Sequence, residues 1–207
     1  MSARVDLNVP VAKENINKLR VGDQVFLTGR IATARDAAHR WMVDHFIKPE
    51  QVISADDEKS YSELKAIMAG SFIYHCGPIV RQDERGNYAF VAAGPTTSIR
   101  EELYQADVIR HFDLRGVIGK GGMGQKTSKG LVDSCAVYLH AIGGLGAYYA
   151  SCVSRVVKVY KLEFGVPEAM WVIDVVDMPL LVTMDAHGDS LHDLIAAKAA
   201  RALDEMD

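Results

Sequence analysis

Residues 94–130 gather three anion-friendly chemistries in one short stretch. Gly94-Pro95-Thr96-Thr97-Ser98-Ile99-Arg100 offers hydroxyls and a guanidinium. Gly119-Lys120-Gly121-Gly122-Met123-Gly124 offers an ammonium among glycines that allow close backbone approach to a ligand. Apolar Phe90-Val91-Ala92-Ala93 runs into the first motif and Arg115-Gly116-Val117-Ile118 into the second, so each reads as a strand ending in a polar loop. Two such loops form a receptor for carboxylate or phosphate, and function is expected there. The glycine cluster fits neither GxxxxGK[ST] nor GxGxxG, which disfavours a nucleotide.

Arg35 and His39 are four residues apart, on one face of an expected helix and near its N-terminus. A guanidinium there can fork onto a carboxylate, although the spacing equally fits a surface arginine beside a capping histidine. Arg100 falls in the first turn of a helix read over 99–112, where a cation opposes the helix dipole; that favours a ligand role. The hydroxyls of Thr96, Thr97 and Ser98 can cap that helix as readily as they can touch a ligand. His75 reads as a structural histidine bonded to backbone. His187-Gly188-Asp189-Ser190 reads as a turn into the last helix, capped by Asp189 or Ser190.

The elements that must position these groups belong to a chain of 207 residues, 49% apolar and 24% charged, which is an ordinary globular balance. It shows no repeat, low-complexity tract or linker, so one domain over 1–207 is expected. A net charge of −4 without a Lys/Arg stripe argues against a nucleic-acid partner. No run approaches the ~18–20 apolar residues of a membrane span, and the N-terminus lacks a signal-peptide core, so a cytoplasmic protein without a membrane partner is expected. Cys76, Cys135 and Cys152 form no CxxC pair and fit a reducing compartment. They could in principle supply three cluster ligands, but Cys135 and Cys152 read better as buried structural thiols.

A turn at 21–23 leads to a strand over 24–29, and Thr33-Ala34-Arg35-Asp36 resembles a capping box opening a helix to about residue 46. Residues 48–70 read as loop with a short helix over 62–68, followed by a strand over 71–76. A hairpin pairs 79–81 with 88–91. Beyond it come a strand at 117–118, a helix over 128–134, a strand over 136–142 and a helix over 146–160. Strands at 171–176 and 180–184 and an amphipathic helix over 192–206 complete the chain. The mixture predicts an α/β domain with sheet layers and covering helices.

At these residues the chain resembles the β subunit, or C-terminal domain, of the iron–sulfur-dependent class I fumarases and L-tartrate dehydratases. The matching stretches are Thr33-Ala34-Arg35-Asp36-Ala37-Ala38-His39, His75-Cys76-Gly77-Pro78, Gly94-Pro95-Thr96-Thr97-Ser98, Gly119-Lys120-Gly121-Gly122-Met123-Gly124 and Asp185-Ala186-His187-Gly188. They stand in the family's order across 28–190. The resemblance implies a swivelling β/β/α domain and a hydro-lyase acting on a four-carbon dicarboxylate. Hydration of fumarate to malate is the first expectation, and dehydration of L-tartrate to oxaloacetate is the alternative. The resemblance also implies a larger α subunit that holds a four-iron, four-sulfur (4Fe-4S) cluster by three cysteines. One iron stays open as a Lewis acid on the leaving hydroxyl.

The cysteines here match none of the family's ligand positions, so this chain is expected to hold no metal and to act only within an α–β hetero-oligomer. Carried over by motif, Arg35, Arg100 and Lys120 bind the substrate carboxylates, with Thr97 and Gly121 in the same subsite. Thr96 acts near the proton transfer beside an acidic residue of the partner. His39 relays a proton or orients Arg35. The chemistry is consistent, since a dianion whose charge grows in an aci-carboxylate intermediate needs several fixed cations. Ile99 follows Thr-Thr-Ser, where fumarases commonly carry smaller residues and tartrate dehydratases a bulky aliphatic one. The expectation from another class is a carboxylate-binding module with no catalysis of its own.

Overall fold

Period-two alternation of apolar residues decides how this chain layers. In Met170-Trp171-Val172-Ile173, the odd residues pack into one core with Val25, Leu27, Ile31, Phe72, Val137 and Leu139. The even residues pack into a second core with Ala38, Trp41, Met42, Val108, Ile109 and Phe112. A strand buried on both faces serves two cores at once. Each fully buried aliphatic side chain stabilises the fold by about 1.5–3 kcal/mol.

The computed structural model describes residues 4–49 and 52–204. Strands β1 (Arg4–Asn8), β2 (Gln24–Thr33), β3 (Phe72–Tyr74), β6 (Gly116–Gly119) and β7 (Val137–His140) lie side by side in that order, all parallel. Between β3 and β6 in sequence, β4 (Ile79–Gln82) and β5 (Tyr88–Ala92) form a separate antiparallel hairpin, as expected from the sequence. Strands β8 (Val153–Tyr160) and β9 (Met170–Met184) are antiparallel to each other. β9 also pairs antiparallel with β2, from Gln24↔Leu181 to Ala32↔Val172, and its last residues pair with β7. Strands β2, β3, β6, β7 and β9 therefore close on themselves, which leaves β1 and β8 as side branches.

The first core lies between this sheet and the β4–β5 hairpin with β8. The second lies beneath α2 (Asp36–Met42), α3 (Ala55–Met68), α4 (Gln105–Phe112) and α5 (Gln125–Ser134). The remaining helices are α1 (Lys13–Ile16), α6 (Gly146–Ser151) and α7 (Leu191–Asp204). No helix of the described residues is long and apolar enough to cross a membrane.

Several local expectations are corrected. The helix expected over 146–160 is α6 followed by β8. The apolar spacing there imitates a helix, but Val153, Val156, Val157 and Val159 are β-branched, and β9 offers a pairing edge. The strands expected at 171–176 and 180–184 are one strand, β9, with Asp177 in the left-handed region at φ 48°. The helix expected over 62–68 begins earlier, at Ala55, where Ser54 Oγ accepts the Asp57 N–H at 3.1 Å.

The helix expected over 99–112 divides into a 3-10 turn, Ser98–Glu101, and α4. α2 ends at Met42 and continues as a π-helical turn over Val43–Ile47. Its expected capping box is absent, because Thr33 Oγ1 accepts the Trp171 N–H at 3.1 Å instead. β1 and α1 are additions to the elements read from the sequence. Cys152 is buried as expected, whereas Cys135 is only partly so. Ser190 Oγ accepts the Asp193 N–H at the start of α7, yet Leu194, Ile195 and Leu203 on that helix are exposed. Residues 205 and 206, expected to end it, and the extreme N-terminus lie outside the described residues.

Candidate functional site

The parallel strands β2, β3 and β6 end on one side of the sheet, and the loops that follow them carry the candidate residues. Arg35, His75 and Lys120 follow those strand ends almost directly. Residues 96–98 are laid between the last two like an extra strand. The Thr96 N–H donates to the His75 carbonyl at 2.7 Å, Lys120 N–H to the Thr96 carbonyl at 3.3 Å, and Ser98 N–H to the Lys120 carbonyl at 3.0 Å. The two loops expected to form a receptor are thus physically joined, and Thr97 and Lys120 face each other across a parallel bridge.

Backbone geometry at the glycines permits this junction. A Cβ on Gly119 would lie 1.9 Å from Ser98 Oγ and 3.1 Å from the Tyr138 hydroxyl. Gly121 and Gly122 have φ of +83° and +75°. Two of the N–H groups at the start of α5 are taken by a side chain. The Glu102 carboxylate accepts from Gly124 N–H at 2.8 Å and from Thr127 N–H at 3.0 Å.

Each arginine is held by a carboxylate. Arg35, at the N-cap of α2, pairs with Glu168 Oε1 through Nη2 at 3.1 Å and leaves its buried Nε without a partner. Its side chain crosses Gly77, where a Cβ would lie 2.6 Å from Arg35 Nη1. Arg100 is half-exposed and pairs with Asp36 through Nε at 3.2 Å and through Nη2. Asp36 is the residue next to Arg35, so the two guanidinium groups are linked through it. Lys120 is partly buried and has no acidic partner among the described residues.

Thr96 is partly buried and Thr97 exposed. Thr97 occupies the N-cap of the 3-10 turn without a side-chain cap bond. Only the backbone of Thr96 is engaged among the described residues. Ser98, the third hydroxyl, turns inward: its Oγ lies 2.9 Å from His75 Nδ1 and 2.8 Å from the Tyr138 hydroxyl. None of the three therefore caps the following helix.

His39 is fully buried, with Nδ1 donating to the Arg35 carbonyl at 3.0 Å and Nε2 2.9 Å from the Gln105 amide. Burial lowers its pKa. His75, expected to bond backbone through its ring, bonds two side chains instead, Ser98 and Gln105, and burial pushes it down to about 3. Both rings are therefore neutral near pH 7. Beside them Glu101 is buried, its Oε2 is unpartnered, and it lies 3.5 Å from His39 Nδ1. Burial, with Asp36 and Glu168 nearby, raises its carboxyl to about 7 against the opposing pull of Arg100 and Arg35.

Sequence reasoning missed Gln105, Glu101 and Glu168. Glu168 stands 131 residues from the Ala37 N–H it accepts, and no local signal reaches that far. Glu101 ends the 3-10 turn and Gln105 opens α4, positions where polar residues usually face water.

Among the described residues no group of three or more His, Cys, Asp or Glu could hold a metal ion. Cys76 is fully buried, and desolvation raises its thiol far above the usual range, so it resists becoming the thiolate that a cluster requires. These residues do not fit a resident iron–sulfur cluster.

The family described as Fumarase C-terminus matches residues 1–195. The chain is 45% identical over 201 residues to a Geobacillus stearothermophilus protein named "Putative fumarate hydratase class I", covering 97% of this chain and 36% of that one. It thus spans about a third of that relative's length. It is 37% identical over 198 residues to "Putative L(+)-tartrate dehydratase subunit beta" of Methanocaldococcus jannaschii, covering 95% of both chains. To "L(+)-tartrate dehydratase subunit beta" of Escherichia coli it is 34% identical over 186 residues, covering 89% of this chain and 85% of that one. This chain belongs to the fumarase C-terminus family.

Proposed function

We propose that this chain is the carboxylate-binding half of a hydro-lyase that interconverts fumarate and malate, with the other half supplied by an α subunit. The observation that carries the reading is the linkage of Arg35, Arg100, Lys120 and Thr96 at one end of the sheet. Arg100 reaches Asp36 beside Arg35, and Thr96–Ser98 is zipped to Lys120. A dicarboxylate needs cations at both ends, and these come from three separate segments. Removing a proton from carbon beside a carboxylate drives charge onto its oxygens, which fixed cations stabilise more than they stabilise the ground state. Arg35 and Arg100 grip and orient, Lys120 neutralises, and Thr97 and the backbone at Gly121 complete the rim. Thr96, whose hydroxyl is not spent on a cap, holds or moves the proton. His39, being buried, orients Arg35 through its carbonyl.

The name "subunit beta" in two relatives, and the greater length of the Geobacillus relative, support a second part that is separate in some proteins and fused in others. That part holds the 4Fe-4S cluster in this reading, consistent with the poor fit of the cysteines here. The closed sheet between two cores supports the swivelling β/β/α class and a single domain over 1–207. Three free cysteines accord with a cytoplasmic setting.

The second reading is L-tartrate dehydration. It is favoured by the near-equal lengths of the relatives so named and by bulky Ile99, half-exposed beside Arg100. The deciding experiment is anaerobic co-expression with the cluster-bearing subunit, followed by assays on fumarate, malate and tartrate. Interconversion of fumarate and malate is expected. Turnover of tartrate alone would select the second reading, and turnover of none would leave a binding module.

A further inference from the structure

Gln105, the first residue of α4, is fully buried, and one end of its amide touches two histidines. Its Oε1 lies 2.9 Å from His39 Nε2 and 2.7 Å from His75 Nε2, while its Nε2 has no partner. Proton counting selects a different orientation of that amide. The Arg35 carbonyl, 3.0 Å from His39 Nδ1, can only accept, so the single proton of neutral His39 sits on Nδ1 and its Nε2 carries a lone pair. An amide oxygen facing that lone pair is acceptor against acceptor.

A half-turn of the amide exchanges oxygen for NH2, whose two N–H groups then meet two imidazole lone pairs. The second of these requires the His75 proton on Nδ1, where Ser98 Oγ accepts it at 2.9 Å. One carbonyl is left without a partner in place of a bare NH2. The competing arrangement, an imidazolium at His39 beside Glu101 Oε2 at 3.5 Å, buries two charges and still leaves the amide nitrogen bare.

We propose that Gln105 is a positioning residue that clamps His39 and His75 as neutral Nδ1–H tautomers and so ties the Arg35 wall of the site to the Thr96–Ser98 wall. On one side, His39 holds the Arg35 carbonyl through both its ring and its backbone N–H, the latter at 2.9 Å. On the other, the His75 carbonyl holds Thr96 N–H at 2.7 Å and its ring holds Ser98. The two rings stand edge-to-face with centroids 5.2 Å apart, and α4 delivers the amide between them. The bearing on turnover rests on the hydro-lyase reading; the tautomer assignment does not.

The first test needs no variant and no substrate. Long-range proton–nitrogen correlation spectra of the full chain are expected to show both rings protonated on Nδ1, bare on Nε2 and untitrated across the neutral range. A ring carrying its proton on Nε2, or an imidazolium at His39, overturns the proposal. In Gln105→Glu the two donors become an acceptor, and both ring signals are expected to move toward imidazolium.

The second test compares wild type with Gln105→Met and Gln105→Glu in the reconstituted two-part enzyme, at a temperature where melting curves show each variant folded. A displacement of about 1 Å at a site costs on the order of a hundredfold in rate, and a kcat loss of that order is expected. Normal kcat in both variants beside an active wild type overturns the positioning role. An inactive wild-type pair instead removes the hydro-lyase reading, and the spectra still decide the clamp. Should neither variant fold, the wild-type spectra decide it as well.

Discussion

Glu168 serves Arg35 and helix α2 with the same carboxylate: Oε1 pairs with Arg35 Nη2 at 3.1 Å, and Oε2 accepts the Ala37 N–H at 3.2 Å. A helix N-terminus is a natural anion site, and here an acidic side chain from the segment before β9 fills it. The consequence for a ligand is that Arg35 arrives already oriented. In the proposed function, a substrate carboxylate would take the guanidinium donors that Glu168 leaves over at Arg35 and that Asp36 leaves over at Arg100. Fixing the cations beforehand limits the entropy lost on binding.

Glu168→Ala is expected to lose about 1–2 kcal/mol of stability, since a helix N-cap is removed. Glu168→Gln keeps an acceptor for Ala37 N–H and is expected to lose less than half of that. Urea unfolding of the three proteins checks this. Equal losses in the two variants would mean that the ion pair with Arg35, and not the cap, is what Glu168 contributes.

The buried Glu101 carboxyl gives a pH prediction. Its folded pKa stands at about 7 against an ordinary 4.5, so the folded chain keeps a proton that the unfolded chain releases. The contribution of Glu101 is therefore fully present below pH 4.5 and lost as pH rises through about 7. His39 and His75 act in the opposite sense: held neutral in the fold, they cost stability as pH falls below their ordinary 6.5. Comparing wild type with Glu101→Gln isolates the carboxyl. Above neutrality the variant is expected to be more stable by about 1–3 kcal/mol, because each tenfold change in proton affinity is worth about 1.4 kcal/mol. In acid the two should be nearly equal. A variant less stable than wild type in alkali would mean that Glu101 is an anion paired with His39.

Local signals carried part of this architecture. Turn residues announced the β4–β5 hairpin, a hydroxyl announced the start of α7, and apolar runs ending in polar loops marked the ends of β5 and β6. What escaped was set by distance along the chain. β1 is short and polar and becomes a strand only because β2 offers a parallel edge. The 153–160 segment has helix-like apolar spacing, and β9 decides against it. At the site, the motifs pointed to Arg35, Thr96, Arg100 and Lys120, but not to what holds them. The partner of Arg100 is 64 residues away, and Gln105 meets His39 across 66. A polar residue opening a helix carries no mark that it will be buried between two histidines.

Gly119 has no room for a single methyl group. A Cβ there would sit 1.9 Å from Ser98 Oγ, inside the Ser98–His75–Tyr138 junction. Gly119→Ala is expected to lose more than about 2 kcal/mol, as overpacking combined with a broken buried network does. Adding Ser98→Gly removes the struck atom and should restore part of the loss. A double variant no more stable than Gly119→Ala alone would show that the clash lies with the backbone.

Thr96 and Lys120 are joined by backbone, yet their side chains are expected to fail in different ways. Neither fills core volume, and the Thr96 hydroxyl caps no helix, so Thr96→Val and Lys120→Ala should each shift stability by less than about 0.5 kcal/mol. In the assembled enzyme, Lys120→Ala removes a charge-assisted contact worth about 1.5–3 kcal/mol, a loss of roughly ten- to a hundredfold in kcat/KM. Thr96→Val keeps the shape of the side chain and removes only the hydroxyl. It should lower kcat with KM nearly unchanged, which marks a group needed in the transition state rather than in binding. Melting curves beside steady-state kinetics of the complex separate these outcomes. Full turnover in Thr96→Val would move the proton-handling role to Thr97, the exposed hydroxyl that faces Lys120 across the bridge.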